Sequence, residues 1–559
     1  MQRIAIIDIG SNSARLVISH IYKNGAYNMV YNQKEALRLS QKVNEDNMLT
    51  EEAFTSTIET MSSFAHMCKI YQADKTIAVA TAAIRNSING GELVEKVAEK
   101  TGIQLHIISG KTEAYISYLG VINTLDVKNG IIFDLGGGST ELILFKNRKI
   151  LESVSIPLGA VNTTELFNIR NEMTSAVYNN LSAFIQDKLA QYPWLKQNGR
   201  LPLIGVGGTA RTVAKIIQRA KKYPATKIHN YAYPVPIFRN FFNKLRLTNL
   251  EQRKKISGLS TERSDIILAG SSIISCLIEA TGAKKLITSG CGLREGLFYD
   301  YYSKSNNVPL IAKNILERSA ENTLNLFETD TTHARHITKL ALAMFDGWQE
   351  LHKVRRNYRR LLETAALLHD IGITINFYSH ARHSAYMIQN AKLFGLTHKE
   401  QIITSAIAGW HNGVSKNYFK DRFYKEILTE SNWKLINKLA LLLALAESLD
   451  YSEMRMVHNL STSFNKKLAI LSIHADNIPA IEMHQIQHHL SWFKKIMGVE
   501  LKVELIKEPQ DRLHPEEQPE DSALTELLEE LDADKPEQAP SEKEEVSSEK
   551  MAEEAHSEK

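Results

Sequence analysis

One ten-residue pattern occurs twice, and it constrains the fold more than any other feature. Ile4 to Ser13 is an apolar run, then Asp8, then the small residues Gly10-Ser11-Asn12-Ser13. Ile131 to Thr140 is an apolar run, then Asp134, then Gly136-Gly137-Gly138-Ser139-Thr140. Each reads as a strand with an acid at its end, a turn of small residues, and a second strand. The two Asp residues lie 126 positions apart. Such an internal duplication predicts two similar α/β lobes, at 1–125 and 126–303.

The local patterns agree. Leu16–Tyr22 and Tyr27–Tyr31 read as strands around an Asn24-Gly25 turn. Glu51–Tyr71 places Phe54, Ile58, Met61, Ala65 and Cys68 on one helical face. Thr76–Ala80 and Gln104–Ile108 are strand-like around a helix at Gly91–Lys100, and Glu113 begins a further helical stretch. From about 307 the texture becomes helical, and strand patterns return only at Lys467–His474 and Val499–Ile506. This predicts a helical domain at 307–460 and a small α/β domain at 461–507.

Charge divides the chain. Residues 508–559 hold 19 Asp and Glu against 5 Lys and Arg, whereas residues 1–507 carry a net charge of +18. The acidic segment is proline-rich and nearly free of aromatic residues, so disorder is expected, with a short helix near Leu524–Leu531. A basic body points to an anionic partner: nucleic acid, acidic lipid or a phosphate-rich substrate. No apolar run approaches the ~18 residues of a membrane span. The three cysteines share no metal-ligand spacing and form no disulfide framework, so a cytoplasmic protein is expected.

The glycine turns suggest the chemistry. Small residues let backbone N–H groups converge on phosphate oxygens, and an Asp beside them is suited to holding Mg²⁺ against the phosphate. Leu203-Ile204-Gly205-Val206-Gly207-Gly208-Thr209 adds a third turn, with a helix expected from about Ala210. No Lys follows its glycines, which excludes a Walker motif. A fourth turn, Ser289-Gly290-Cys291-Gly292, reads as structural. Glu113 after Ser109-Gly110-Lys111-Thr112, and Glu141 on the strand leaving the second turn, are candidate acids. Arg85, just past a strand, could fork onto a phosphate.

In this order, Asp8-Ile9-Gly10-Ser11-Asn12-Ser13 with Arg15-Leu16, Ala80-Thr81-Ala82-Ala83-Ile84-Arg85, Ser109-Gly110-Lys111-Thr112-Glu113-Ala114, Asp134 to Leu142 and Gly205 to Thr209 form a specific set. The set resembles the exopolyphosphatase/guanosine pentaphosphatase (Ppx/GppA) phosphatase family of the actin-like ATPase superfamily, closely over 1–303 and more loosely over 307–507. The resemblance implies two actin-like (ribonuclease H-like) lobes. It implies Glu113 as the base that activates water, Asp134 and Glu141 as acids that position Mg²⁺ or the nucleophile, and Arg85 as a phosphate contact. Asp8, Ser11, Asn12, Gly137, Gly138, Ser139, Gly207, Gly208 and Thr209 would bind substrate. The expected substrate is inorganic polyphosphate or guanosine pentaphosphate, with neither nucleic acid nor membrane as partner, and a homodimer is expected. A free Glu has a pKa of about 4.3, so Glu113 is expected to be ionised near neutrality. A non-catalytic sensor of polyphosphate or alarmone is the alternative of another class.

His333, the pair His369-Asp370 and His411 resemble an HD-type phosphohydrolase domain, with His383 a further candidate and the closing acid within Ala446–Asp450. Glu447 stands where Asp is usual. Two readings are open: a domain that lengthens a polyanion path, using basic clusters at Lys353–Arg360 and Lys215–Lys222, or a metal site with its own hydrolase activity.

Overall fold

The computed structural model describes residues 1–327, 330–411 and 422–507; the expected tail at 508–559, with its Leu524–Leu531 helix, lies outside them. The first sheet contains β1 (Gln2–Ile9), β2 (Ala14–Ile21), β3 (Tyr27–Glu35), β4 (Lys75–Ala80) and β5 (Leu105–Ile107), in the order β3-β2-β1-β4-β5. The second contains β6 (Gly130–Leu135), β7 (Thr140–Lys146), β8 (Lys149–Ile156), β9 (Leu203–Val206), β10 (Tyr231–Pro234) and β11 (Lys285–Thr288), in the order β10-β11-β9-β6-β7-β8. Both sheets have an antiparallel three-strand meander whose first strand continues into parallel partners. The duplicated sequence is thus a duplicated topology. Asp8 faces Arg15 across β1 and β2, and Asp134 faces Glu141 at the matching position of β6 and β7.

The two sheets are tied together by exchanged helices. Helix Gly110–Ile122, encoded within the first lobe, packs Ala114, Tyr118, Leu119 and Ile122 against Ile132, Ile143 and Phe145 of the second sheet. Helix Leu293–Asn306, which ends the second lobe, covers Ile4, Ile6 and Val79 of the first sheet with Leu297, Phe298 and Tyr302. The helices also meet each other through glycines. A Cβ on Gly120 would stand 2.1 Å from the Gly292 carbonyl oxygen, and one on Gly296 would stand 1.9 Å from that of Ile116. The boundary expected at 125/126 therefore follows the chain but not the packing.

From Ile315 onward the helices share one apolar core, which includes Phe345, Trp348, Leu362, Ile407 and Leu439–Leu443. A third sheet, β12 (Val457–Phe464), β13 (Leu468–Ala475) and β14 (Glu500–Lys507), contributes Val457, Leu471 and Ile473 to the same core. It begins before the expected 461 boundary. Val457–Phe464 is hard to read as a strand because most of its residues are polar and exposed. The helical region docks on the first lobe through Asn322, whose amide pairs with both the N–H (2.8 Å) and the carbonyl (3.1 Å) of Tyr27 at the start of β3. Among the described residues, no helix is long and apolar enough to cross a membrane.

Candidate active site

The ends of β1, β6 and β9 bring their turns to one cleft of about 140 Å³ between the lobes. Asp8, Ser11, Asn12, Asp134, Gly137, Gly138, Ser139, Gly207, Gly208 and Glu113 all line it. The turns are in close contact: a Cβ on Gly138 would stand 2.8 Å from Ser11 Oγ, and one on Gly137 would stand 3.1 Å from Ser11 Cβ. Helix Gly207–Ala220 starts three residues earlier than the sequence suggests, so Gly207 and Gly208 form its first turn rather than a loop before it. Gly207 has φ +90°, and a Cβ there would lie 2.5 Å from the Leu135 carbonyl oxygen and 3.1 Å from Asp134 Oδ1. Glycine is required there by both conformation and space.

Glu113 sits in the first turn of helix Gly110–Ile122, whose N-terminus is capped by Ser109 accepting from Thr112 N–H. Arg85 Nη1 donates to Glu113 Oε2 at 2.8 Å. Burial raises the Glu113 pKa to about 7, with Arg85 opposing the rise. This corrects the expectation of an ordinary acid: Glu113 titrates near neutrality. Asp8 is pushed up to about 6 by burial, against Arg294 and Arg15. Asp134 is also raised by burial, partly offset by Ser117, which donates to Asp134 Oδ2 at 2.6 Å. Glu141 lies well above the usual carboxylate range because of burial and the neighbouring charges of Glu113 and Asp134.

Three expected contacts stand elsewhere. Arg85 is absent from the cleft wall; its Nη1 is engaged by Glu113 and by the Ile108 carbonyl at 3.0 Å, which orients the acid. Glu141 lies behind the wall, 1% exposed, held by Ser139 and Ser155 hydroxyls at 2.8 Å each. Thr209 is buried against Gly270 of helix Ile267–Thr281. Helical rotation of ~100° per residue explains this, since it turns Thr209 away from the face that Gly207 presents.

The same rotation returns Arg211, four residues after Gly207, to the cleft, where it is a lining residue. Arg15 and Arg263 line the cleft as well. The Arg263 guanidinium rests on Gly208, where a Cβ would come within 1.9 Å of it. Burial first, and then the charges of nearby arginines, lower the Arg15 and Arg263 pKa values to about 10. Arg211 and Arg263 stand outside every motif in the sequence, and Arg15 appears there only as a flank of the first turn, with no role attached to it. Spacing from Gly207 could have found Arg211.

The chain matches the Ppx/GppA phosphatase family over residues 17–305 and domain III of that family over 315–486. It belongs to the Ppx/GppA phosphatase family. Among similar proteins, a guanosine-5'-triphosphate,3'-diphosphate pyrophosphatase from Photobacterium profundum is 27% identical over 401 residues, covering 71% of this chain and 78% of the relative. One with the same description from Pseudoalteromonas translucida is 26% identical, covering 79% and 87%. The crystal structure of an exopolyphosphatase from Cytophaga hutchinsonii shares the fold, with a TM-score of 0.51 at 23% identity over 56% of this chain and all of that one. This Ppx/GppA phosphatase thus has a hydrolytic family's cleft, with a buried acid and a ring of arginines around it.

The cleft's donors also bear on a metal. They are carboxylate, hydroxyl and backbone oxygens, the hard ligands that suit Mg²⁺. Four acids, Asp8, Glu113, Asp134 and Glu141, are all pushed towards protonation, so a cation among them would relieve a strain of charge. Among the described residues, no three cleft carboxylates converge as a closed metal cage.

In the helical region, His333, His369 and Asp370 come together with Glu447, while Asp370 also meets His411 and His380. His380 takes the place proposed for His383, which lies one turn further along helix His380–Asn390. The basic cluster at Lys353–Arg360 is partly neutralised: Arg359 pairs with Asp346 at 2.9 Å, and Arg360 pairs with Glu400.

Proposed function

We propose that this phosphatase is an exopolyphosphatase that removes terminal phosphates from inorganic polyphosphate with Mg²⁺ and water. The observation that carries the reading is Glu113, a buried acid lining a small cleft together with Asp8, Asp134, glycine turns, hydroxyls and arginines. Arg15, Arg211 and Arg263 offer positive charge to the phosphate, and the turns around Gly137 and Gly208 bring backbone close to it. Arg85 holds one Glu113 oxygen, leaving the other for a water proton. As Glu113 accepts that proton, the water oxygen bonds to the terminal phosphorus, the bridging P–O bond breaks, and the shortened chain leaves. Asp134 and Asp8 are the cleft-lining residues that would hold Mg²⁺, with Glu141 supporting from behind. The ion would neutralise phosphate charge.

Guanosine pentaphosphate is the second reading, favoured by the descriptions of the relatives from Photobacterium and Pseudoalteromonas. Both substrates end in the phosphoanhydride this cleft would cleave. Phosphate release from long polyphosphate and from guanosine pentaphosphate, measured side by side with Mg²⁺, separates them. A higher kcat/KM on polyphosphate supports the first reading, and preference for the nucleotide replaces it with the second. No release from either favours a binding-only role.

A further inference from the structure

Cations of the first lobe meet carboxylates of the second beside the cleft. Lys34, near the end of β3, pairs with Glu262. Arg38 Nη1 pairs with Asp265 Oδ2 at 3.2 Å, and Arg38 Nη2 donates to the Glu262 carbonyl at 3.5 Å. Glu262 lies in the short helical turn Thr261–Arg263, and Asp265 follows it. Between these two acids in the chain stands Arg263, which lines the cleft and rests its guanidinium on Gly208. The segment therefore has two faces. Its cation is turned to the phosphate site and its acids to the other lobe.

Both ends of this clasp are fastened to other parts of the molecule. On the first lobe, the Arg38 N–H donates to the Asn12 carbonyl and the Ser40 N–H to the Ser11 carbonyl, each at 3.1 Å. Ser11 and Asn12 are themselves cleft residues, so Arg38 moves with the first glycine turn. On the second lobe, the fully buried Arg253 donates from Nε to the Ser264 carbonyl at 2.7 Å. That bond anchors the backbone of the turn from behind. It does not fix where the long Arg263 side chain lies, and an arginine has much rotamer freedom to lose.

Charge gives an independent argument. Arg211 lies close enough to disfavour the charge on Arg263, whereas the carboxylates of Glu262 and Asp265 favour it. Like charges in a cleft without phosphate push apart unless a counter-charge holds them. Asp265 is placed to be that counter-charge. Its Oδ2 is taken by Arg38, while its Oδ1 is buried with no hydrogen-bond partner among the described residues. The unshared oxygen leaves the negative charge of Asp265 to the cations around it, among them Arg253 and Arg263.

We propose that Asp265, held by Arg38, and Glu262, held by Lys34, are positioning residues that set Arg263 of the second lobe against the substrate phosphate. This rests on the reading of Arg263 as a phosphate contact given above. Partly exposed ion pairs contribute little to stability by themselves. The value of these pairs lies in orientation, because a cation already in place loses less freedom when phosphate arrives. The sign of one substitution separates positioning from plain charge. Asp265→Asn removes a negative charge near an anion site, which by Coulomb attraction alone tightens phosphate binding. Loss of positioning weakens it.

The test measures tripolyphosphate binding by calorimetry, with Mg²⁺, on the full chain carrying Glu113→Gln so that the probe is not consumed. Arg263→Ala should weaken binding about 10–100-fold, the usual worth of hydrogen bonds to a charged group. Asp265→Asn should weaken it roughly three- to tenfold, the scale of coupling between neighbouring residues. With Arg263→Ala already present, Asp265→Asn should weaken binding no further, because it acts only through that side chain. Thermal melts check folding; if Asp265→Asn does not fold, Arg38→Gln carries the same comparison. Tighter or unchanged binding with Asp265→Asn overturns the clasp, as does an equal loss with and without Arg263. Unchanged binding with Arg263→Ala overturns the phosphate role of Arg263 and the clasp with it. A loss with Arg263→Ala but none with Asp265→Asn leaves that phosphate role standing and overturns the clasp alone.

Discussion

Arg85 Nη1 donates at once to Glu113 Oε2 at 2.8 Å and to the Ile108 carbonyl at 3.0 Å. The arginine thus fixes the acid to the end of the strand that precedes its helix. It also lowers a pKa that burial has raised to about 7. A base works only when ionised, so the rate should rise with pH through that value. Arg85→Ala removes the opposing charge, raising the pKa further and moving the acid limb of kcat/KM to higher pH. Arg85→Lys should move it less. Profiles of kcat/KM against pH for the three proteins check this; superimposable acid limbs would reject the link.

Glu113→Gln keeps the shape and removes the proton acceptor. Loss of a general base costs about 10²–10⁴ in rate. We expect kcat to fall by that order while polyphosphate still binds, as measured by single-turnover kinetics and direct binding. Near-normal turnover would remove Glu113 from the mechanism.

Asp134→Asn should shift the Mg²⁺ titration of activity to higher concentration, because a neutral amide is a poorer hard-ion ligand than a carboxylate. Ser117→Ala deletes the 2.6 Å hydrogen bond to Asp134 and should produce a smaller shift in the same direction. An Asp134→Asn titration that overlays the wild type would exclude it as a metal ligand.

The two glycines opening helix Gly207–Ala220 should respond differently. Gly207→Ala forces a side chain into φ +90° and against the Leu135 carbonyl, which should cost about 1–3 kcal/mol of stability. Gly208→Ala displaces only the flexible end of Arg263, so it should raise KM with little change in melting temperature. Thermal melts and steady-state kinetics on both variants distinguish the effects.

Asp8 permits a stability test with a definite sign. Its folded-state pKa is raised from the ordinary 3.8 to about 6. The folded state therefore gains from Asp8 at low pH and loses that gain as pH rises through about 6. At pH 8 the penalty is at most about 3 kcal/mol. In the absence of Mg²⁺, Asp8→Asn should raise the melting temperature at pH 8 more than at pH 5. An equal change at both pH values would contradict the assignment.

The repeated turns were legible because strand, acid and small-residue turn recur as one contiguous string at Asp8 and Asp134. What could not be read depends on three-dimensional geometry. Thr209 and Arg211 look equally plausible in a line, and only helical rotation turns one inward and the other towards the cleft. Arg263 reaches Gly208 from a segment more than fifty residues away in the chain. His380 and His383 lie one turn apart, and which of them meets Asp370 is decided by how the helix docks. Val457–Phe464 lacks strand alternation because a bulge between Val457 and Asn459 sets its two buried residues, Val457 and Leu460, three positions apart.

The exchanged helices set the order in which this protein can mature. Strand β1 leaves the ribosome before the second sheet does, yet Leu297, Phe298 and Tyr302, which cover Ile4 and Ile6, are synthesised after the whole of that sheet. Until then the nascent first lobe exposes an apolar face, the kind of surface that chaperones bind during synthesis. Separate expression of residues 1–125 should give an aggregation-prone fragment, and a partner fragment starting at 126 should restore solubility only if both are present together.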